Sequence, residues 1–420
     1  MDIKKKMKAL WKETFHDSDE YIDLVFDACY NPDFVEVEMQ GDELVAGLLG
    51  VPYAFGTPDR YVRGLYLCGL ATKTQYRSRG IMTRLLSNIN KKAAEAGFAF
   101  TFLIPASEGL RKYYHDRDYV NAFYRVTDNY TSLHDFDMEY ESILMEQKEK
   151  VAELKRRFYA SLKTGKISAE NPVGEEQMGK LTSLVEGLET SQRDLQLIHS
   201  RKDIETMIRE NSVSKGAIYY SENSGGELTA AAFCSFENQA VVVEKLYYRD
   251  LSSKYKVLSF VKSDNPELSI HHYISSVEMD RKALWSRTYG SFLPEAPQVG
   301  AISMTERVYS LSAHAKIYGM ARILDLHEIL KFQAEGWHDL KYSILAKTGD
   351  VYSYEYIDVR HGKLTVKKMV ADSLSPEQTA HVMSKRDIGE ILFRRRDTDN
   401  MVTEAFGIPS INASACLLLD

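Results

Sequence analysis

The sequence predicts an α/β (α+β) protein built of three successive parts. Helix and strand patterns alternate over the first ~130 residues, which is typical of an α/β core. A second stretch after Pro172 repeats this alternation, and Gly41–Ala46 (GDELVA) is echoed by Gly225–Ala230 (GGELTA), which suggests a duplicated core. In the last ~110 residues, three strands alternate polar and apolar positions, as in an antiparallel sheet with one wet face.

A chain of 420 residues is too long for one hydrophobic core, so we expect separate domains. We place the first domain at residues 1–135. The second, at 136–300, begins with charged linker helices over Asp137–Lys166. The third occupies residues 301–420.

The elements of the first part follow from periodicity, caps and turns. The predicted helices are Lys4–Phe15, Asp19–Tyr30 with Asp19 as its cap, one from Ile81 to a stop at Gly97, and Glu108–Tyr114. The predicted strands are Glu43–Tyr53, Tyr61–Thr72, Phe98–Ile104 and Tyr119–Val126.

The two later parts are read in the same way. In the second part we expect strands Glu227–Phe236 and Val241–Tyr248 and a helix over Ser252–Val261. In the third we expect a helix capped by Asp325, strands Tyr342–Lys347, Tyr352–Val359 and Lys363–Lys368, and helices Pro376–Met383 and Asp387–Phe393.

Composition narrows the class of protein. The formal net charge is −7, which argues against a nucleic-acid partner. The four cysteines are widely separated, so neither a disulfide framework nor a metal site is expected. No signal peptide and no apolar run that could span a bilayer is evident, so we expect a cytoplasmic protein without a membrane partner.

The loop within Leu70–Thr83 (LATKTQYRSRGIMT) joins a predicted strand to a predicted helix. Backbone N–H groups at a helix start are unpaired, so they can bind a pyrophosphate with help from the helix dipole. Gly80 allows close backbone approach, and Arg77 and Arg79 can add charge-assisted contacts. No Gly-Lys-Ser/Thr follows, so ATP is not favoured; a merely solvated arginine loop is the plain alternative.

This loop resembles the acetyl-CoA loop of the GCN5-related N-acetyltransferase (GNAT) superfamily, Arg/Gln-x-x-Gly-x-Gly/Ala before a long helix. Met82 replaces the third small residue, but strand, loop, helix and next strand follow in the expected order. The resemblance implies acetyl-CoA as co-substrate and no metal. The cofactor-binding residues that it implies are Leu70, Ala71, Thr72, Arg77, Ser78, Arg79, Gly80, Ile81, Met82 and Thr83, with Ser107 and Glu108 at the next helix start.

Tyr114–Tyr119 (YHDRDY) resembles a second segment of that superfamily, Tyr-x-Lys-x-Gly-Phe/Tyr, whose first tyrosine lies near the thioester sulfur. A phenol there can protonate the leaving thiolate, so Tyr114 is the candidate general acid. Asp118 stands where the family has glycine. Tyr113 is the rival, and a simply packed tyrosine is the other alternative.

The three-part order resembles the enhanced-intracellular-survival (Eis) branch of the superfamily, which has an active domain, a degenerate second one and a sterol-carrier-protein-like (SCP2-like) third. Ala321–Leu326 resembles the opening of that third domain, and Ser384–Phe393 resembles its closing helix. The resemblance implies a homohexamer that acetylates amines such as those of aminoglycosides and lysine side chains. The second core has no Arg-x-x-Gly after Val241–Tyr248, so we expect it not to bind acetyl-CoA.

The sequence leaves the identity of the general base open. Tyr61–Thr72 carries no acidic residue, although many relatives have a glutamate on this strand. In the Eis branch the C-terminal carboxylate serves as base, which points to Asp420, through its terminal or its side-chain carboxylate. Glu36, Glu38 and His115 are the alternatives.

Two other functions compete with acetyl transfer. A tandem acetyltransferase fold can also act as an aminoacyl-tRNA-dependent peptidyl transferase, but this would not need the Arg77 loop. The other alternative is a non-catalytic lipid- or acyl-binding protein on an acetyltransferase scaffold. The acceptor amine cannot be read from the residues.

Overall fold

A computed structural model describes residues 2–189, 195–275, 316–336, 340–347, 353–370, 382–393 and 413–414. These residues form two compact units. The first unit comprises the described residues of Met1–Tyr124, Gln192–Ile198 and Ile317–Ala415, and the second those of Arg125–Ser191 and His199–Lys316.

The first unit is built on a mixed sheet. Its strands are β1 (Val35–Gln40), β2 (Glu43–Thr57), β3 (Arg60–Thr72), β4 (Phe100–Leu103), the first half of β5 (Val120–Tyr130), β7 (Leu195–Ile198), β12 (Lys316–Ile323) and β17 (Ala413–Ser414). Their order is β17-β7-β2-β3-β4-β12-β5, with β1 also paired to β2. Neighbours in the centre are antiparallel except β3 and β4, which are parallel.

The helices of this part are α1 (Ile3–Phe15), α2 (Asp19–Cys29), α3 (Ile81–Glu95) and α4 (Glu108–His115). The predicted periodicity of α3 is confirmed: Ile81, Leu85, Leu86, Ile89 and Ala93 are all buried, in one cluster with residues of β2, β3 and β4. Gly97 follows this helix with φ +76°, the left-handed conformation expected at a C-terminal stop.

The cap of α2 differs from the prediction by one residue. Ser18 is the N-cap, and its hydroxyl accepts a hydrogen bond from the Tyr21 N–H. Asp19 is the first helical residue, where its negative charge faces the positive end of the helix dipole. Serine and aspartate are about equally good caps, so the sequence does not distinguish them.

The second unit repeats the central topology of the first. Its helices are α5 (Phe136–Met145), α6 (Glu149–Ser161), α7 (Glu175–Glu189), α8 (Arg201–Val213) and α9 (Leu251–Asp264). Its other strands are β6 (Lys163–Ile167), β8 (Ala217–Glu222), β9 (Leu228–Glu237), β10 (Ala240–Tyr248) and β11 (Ser269–Ser275). Antiparallel β8, β9 and β10 lead through α9 into β11, which is parallel to β10, as β1, β2 and β3 lead through α3 into β4. The duplicated core is confirmed.

The remaining elements of the first unit form a smaller α+β arrangement. These are α10 (Leu326–Gly336), β13 (Lys341–Lys347), β14 (Ser353–Arg360), β15 (Lys363–Val370), β16 (Val382–Met383) and α11 (Lys385–Leu392). The predicted antiparallel meander of β13, β14 and β15 is confirmed. Asp325 starts α10 as expected, accepting hydrogen bonds from the His327 and Glu328 N–H groups.

The predicted helix Pro376–Met383 lies mostly outside the described residues, and its last two residues form a strand. Val382 and Met383 pair in parallel with Leu345 and Ala346 of β13, a long-range contact that local periodicity does not reveal. Among the described residues, no helix is both long and apolar enough to cross a membrane.

Candidate active site

A crevice opens where β3 and β4 separate. The two parallel strands are paired only from Gly64 opposite Phe100 to Tyr66 opposite Phe102. β4 then ends at Leu103, whereas β3 continues to Thr72. Carboxyl ends of diverging parallel strands are the usual ligand-binding edge of an open α/β sheet.

A β-bulge in β3 lies beside this crevice. Gly47 of β2 is opposite Ala71 and Leu49 is opposite Cys68, so β3 carries one extra residue over the same stretch. Gly69 within it has φ +60°, and a Cβ there would lie 2.3 Å from the Trp11 ring. Only glycine satisfies both restrictions, and a bulge of this kind re-aims the strand next to a site. The strand predicted over Tyr61–Thr72 did not include this bulge, although a lone glycine within a strand pattern is a signal for one.

The loop after β3 is held by its own backbone. Arg77 Nε donates to the Thr72 carbonyl at 2.9 Å, and an Arg79 Nη donates to the Gln75 carbonyl at 2.9 Å. Ser78 and Gly80 have φ +60° and +73°. Both arginines are exposed, and the described residues provide no carboxylate for either. The loop therefore carries two uncompensated positive charges.

The first turn of α3 offers free donors. Gly80 is the N-cap residue and provides no side chain, and the first backbone bond runs from the Arg84 N–H to the Gly80 carbonyl. Within the described chain the N–H groups of Ile81, Met82 and Thr83 have no acceptor. A Cβ on Gly80 would meet nothing within 4 Å, so the approach is open. Free N–H groups, the helix dipole and two arginines fit a pyrophosphate.

Tyr113 and Tyr114 have different surroundings. The Tyr113 hydroxyl lies 3.1 Å from Thr83 Oγ1, and the Arg117 guanidinium lies 3.5 Å from the Tyr113 ring centre. Tyr114 is 6% exposed and belongs to the cluster that contains Ile81. Its hydroxyl has no hydrogen-bond partner among the described residues. Tyr113 is thus tied to α3, and the Tyr114 hydroxyl is not committed to another group.

The ionisation of Tyr114 is controlled by its burial. Desolvation raises the pKa of this phenol well above its ordinary value, and the neighbouring Tyr113 and Tyr119 raise it further. The group therefore carries its proton at neutral pH, as a phenol with its ordinary pKa also would. Asp118, which stands where the similar GNAT segment has glycine, has φ +64°, a left-handed conformation that glycine adopts readily.

The other residues predicted for the site lie at the start of α4 and at the end of β3. Ser107 is the N-cap of α4 and accepts from the Leu110 N–H, and Glu108 pairs with Arg111. Ala71 is buried, whereas Leu70 and Thr72 are half-buried at the end of β3. Asp420 lies outside the described residues.

The three alternative bases are each engaged by a cation. Glu36 Oε1 lies 2.6 Å from Lys92 Nζ and Glu38 Oε1 lies 3.0 Å from an Arg84 Nη. His115 contacts the Arg386 guanidinium, with 3.2 Å between His115 Nδ1 and an Nη atom. Among the described residues, no His, Cys, Asp and Glu side chains gather into a group of three that could hold a metal.

The second core differs at the equivalent helix start. Asp250 caps α9, with its carboxylate accepting from the Ser253 N–H at 2.9 Å and the Ser253 hydroxyl at 3.2 Å. A carboxylate at this place uses one of the free donors and repels an anion. This gives a second reason, besides the missing Arg-x-x-Gly, to expect no pyrophosphate at α9.

Comparison with known proteins agrees with this geometry. Residues 2–121 match the family model described as an acetyltransferase (GNAT) domain. No curated protein matches the chain.

Several solved structures share the fold over nearly the whole chain. A probable N-acyltransferase from Enterococcus faecalis is 12% identical, with a TM-score of 0.63 over 97% of this chain and 91% of that one. A GCN5-related N-acetyltransferase from Anabaena variabilis is 11% identical, with a TM-score of 0.63 over 98% and 96%. Eis1 from Mycobacterium abscessus is 8% identical, with a TM-score of 0.55 over 92% and 86%.

The crevice and the family match together indicate an acyltransferase domain in the first part of the chain, over residues 2–121. The GNAT fold uses acetyl-CoA, and the whole chain has the mixed α/β architecture of the N-acetyltransferase structures above.

Proposed function

We propose that the protein transfers the acetyl group of acetyl-CoA to a primary amine, on an aminoglycoside, a polyamine or a lysine side chain. The observation that carries the proposal is the uncapped start of α3, which within the described chain has three N–H groups without acceptors and follows a loop with two unpaired arginines. Within this class, the order of the three parts of the chain resembles that of the Eis-type enzymes.

The residues of the loop would hold the co-substrate. The N–H groups of Ile81, Met82 and Thr83 donate to the pyrophosphate, and Arg77, Ser78, Arg79 and Gly80 form the rest of its cradle. Leu70, Ala71 and Thr72 provide a backbone edge for the pantetheine, because β3 has no partner from β4 here. Ser107 and Glu108 stand at the start of α4, near the carboxyl end of β4.

Acetyl-CoA supplies an acetyl group activated as a thioester. The amine nitrogen attacks the carbonyl carbon and the carbon–sulfur bond breaks. Tyr114 gives its hydroxyl proton to the departing sulfur and regains a proton from solvent before the next turnover; its raised pKa keeps the phenol protonated at neutral pH. Thiols have an ordinary pKa of about 8.5, so a proton on sulfur is stable at neutral pH.

The carboxylate of Asp420 would take the proton from the attacking amine, directly or through water. This assignment rests on the resemblance to the Eis branch. It is supported indirectly by the ion pairs that engage Glu36 and Glu38. The same resemblance suggests an SCP2-like third part, a homohexamer and a cytoplasmic location, with no nucleic-acid or membrane partner.

The test is release of free thiol from acetyl-CoA in the presence of polyamines, aminoglycosides and lysine peptides. Turnover should require an amine, and the acetylated nitrogen should be identified by mass spectrometry. No turnover with any amine, together with no binding of CoA in a titration, would reject the proposal and favour a non-catalytic scaffold.

Two variants separate the carboxylates of Asp420. Asp420→Asn removes only the side-chain carboxylate, whereas deletion of Asp420 removes both and leaves a terminal carboxylate at Leu419. A large loss only on deletion assigns the base to the terminal carboxylate. A large loss in both variants assigns it to the side chain. Full activity in both would remove Asp420 from the mechanism.

A further inference from the structure

A second cavity of the first unit lies apart from the acetyl-CoA loop and adjoins the end of α4, because Arg386 in its lining contacts His115. Its volume is about 640 Å³, which is in the range of small-molecule sites. It is lined by residues at the start of β5, the end of β12, the end of β13 and the start of α11: Asp118, Val120, Arg322, Ile323, Lys347, Ser384, Lys385, Arg386, Asp387 and Gly389.

The sheet register separates this cavity from the acetyl-CoA loop. Ile323 of β12 is opposite Phe100, at the amino end of β4, and Phe100 is opposite Gly64 of β3. The loop begins after Thr72, eight residues further along β3. At about 3.3 Å per residue, the two sites lie roughly 25 Å apart along the strand direction.

The charge of the cavity is opposite to that of the chain. Four cations and two carboxylates line it, whereas the formal net charge of the protein is −7. The two carboxylates are engaged: Asp118 Oδ2 lies 3.1 Å from an Arg322 Nη, and Asp387 accepts from the Ser384 N–H and hydroxyl as part of a capping box. Arg386 is also paired, with 3.4 Å between its Nε and Glu390 Oε1. The positive charge that remains for a ligand therefore lies on the two lysines.

The two lysines are the free cations of the cavity. Lys385 Nζ donates to the Leu324 carbonyl at 3.0 Å, which leaves two of its three N–H donors. Among the described residues neither Lys385 nor Lys347 forms an ion pair. Ammonium groups bind phosphate as compact point charges through charge-assisted hydrogen bonds.

The floor of the cavity is apolar. Val120 is buried and Ile323 is 7% exposed. Gly389 packs so closely on them that a Cβ would lie 3.3 Å from each. A ligand thus meets an apolar surface and a pair of ammonium groups together. The geometry points to a phosphate monoester of a small organic molecule as the ligand of this cavity.

The test is calorimetric titration of the full chain with glucose 6-phosphate, inorganic phosphate and glucose. We expect the sugar phosphate to bind more tightly than inorganic phosphate, and glucose not to bind. The variant Lys347→Gln/Lys385→Gln should weaken sugar-phosphate binding about tenfold, because two charge-assisted contacts at an exposed site are lost.

Two further variants control for other cations. Lys341→Gln/Lys363→Gln removes exposed lysines of the same small sheet that do not line the cavity, and it should bind as the wild type does. Arg77→Gln/Arg79→Gln removes the loop cations, and it should also keep sugar-phosphate binding, whatever the fate of acetyl transfer.

Equal binding by the Lys347→Gln/Lys385→Gln variant and the wild type, or no binding of glucose 6-phosphate by the wild type, would overturn the assignment. Inorganic phosphate that binds as tightly as the sugar phosphate would overturn the assignment of an organic ligand.

Discussion

The hydroxyl of Tyr113 lies 3.1 Å from Oγ1 of Thr83, so α4 is joined to the first turn of α3 by a side-chain hydrogen bond. Two N–H groups of Arg117 also donate to Thr83 Oγ1, at 3.1 and 2.8 Å. Tyr113 therefore has a structural task beside the cofactor loop. Tyr114, the next residue, is buried in the same cluster as α3 and has no such bond among the described residues.

This difference predicts a large loss of kcat for one of two matched substitutions and a small change for the other. Tyr114→Phe removes the proposed proton donor and should lower kcat by about 10²- to 10⁴-fold. Tyr113→Phe removes one hydrogen bond, of about 1 kcal/mol, and should change kcat only a few-fold. Steady-state kinetics with the best amine substrate compares them. A larger loss for Tyr113→Phe than for Tyr114→Phe would exchange the two roles.

The raised pKa of Tyr114 predicts an alkaline loss of stability. The folded state holds the phenol proton above pH 10, whereas the unfolded state releases it at its ordinary pKa of about 10. The contribution of this group is therefore complete below pH 10 and declines as the pH rises beyond it.

Urea unfolding from pH 8 to pH 11.5 measures this effect in the wild type and in Tyr114→Phe. The free energy of unfolding of the wild type should fall more steeply above pH 10 than that of the variant. Parallel curves for the two proteins would mean that burial does not hold the Tyr114 proton.

Gly80 and Gly97 form a matched pair for testing the pyrophosphate site. Both have a positive φ, +73° and +76°, and a Cβ on either would meet nothing within 4 Å. Alanine at either position should cost about 1–2 kcal/mol of stability, because the left-handed backbone is strained for a residue with a Cβ.

The functional effects of the two substitutions should differ. The added methyl of Gly80→Ala would occupy open space beside the start of α3, where the pyrophosphate is proposed to lie. The KM for acetyl-CoA should therefore rise about tenfold or more, whereas Gly97→Ala should leave it unchanged. Thermal unfolding and acetyl-CoA kinetics measure both quantities. An unchanged KM in Gly80→Ala would place the pyrophosphate elsewhere.

Asp250 should stabilise the folded protein as the cap of α9 and should take no part in catalysis. Asp250→Ala removes the cap of α9 and should lower the free energy of unfolding by about 0.5–2 kcal/mol. Asp250→Asn keeps an acceptor oxygen and should lower the free energy of unfolding by only a few tenths of a kcal/mol. Urea unfolding gives the stabilities, and acetyl-CoA turnover should be the same in both variants. A specific loss of turnover in the stable Asp250→Asn variant would give the second core a part in the reaction.

Much of the fold could be predicted because its signals are local. The apolar spacing of Ile81, Leu85 and Ile89 and the glycine stop at Gly97 describe α3 within one stretch of chain. The echo of Gly41–Ala46 in Gly225–Ala230 likewise marks the start of corresponding strands, β2 and β9. The one-residue error at Ser18 arose because adjacent serine and aspartate are both good caps.

The candidate site was only partly predictable. The Arg77-x-x-Gly80 loop is a local motif, and its helix start is uncapped as the motif requires. The separation of Tyr113 from Tyr114 was not predictable, because it depends on which hydroxyl reaches Thr83 across two helices. The bulge at Gly69 depends on the register of β3 against β2 and on the Trp11 ring.

The sequence by itself determined the kinds of element, the order of the cores and the loop that we propose for the pyrophosphate, because periodicity, caps and glycine conformations act over a few residues. Only the tertiary structure decided which strands lie next to each other in the sheets. Met320 lies opposite Leu103, so β12 pairs with β4 across more than two hundred residues of sequence. A strand carries no local mark of its partner, since ladder pairing joins backbone groups that every residue possesses.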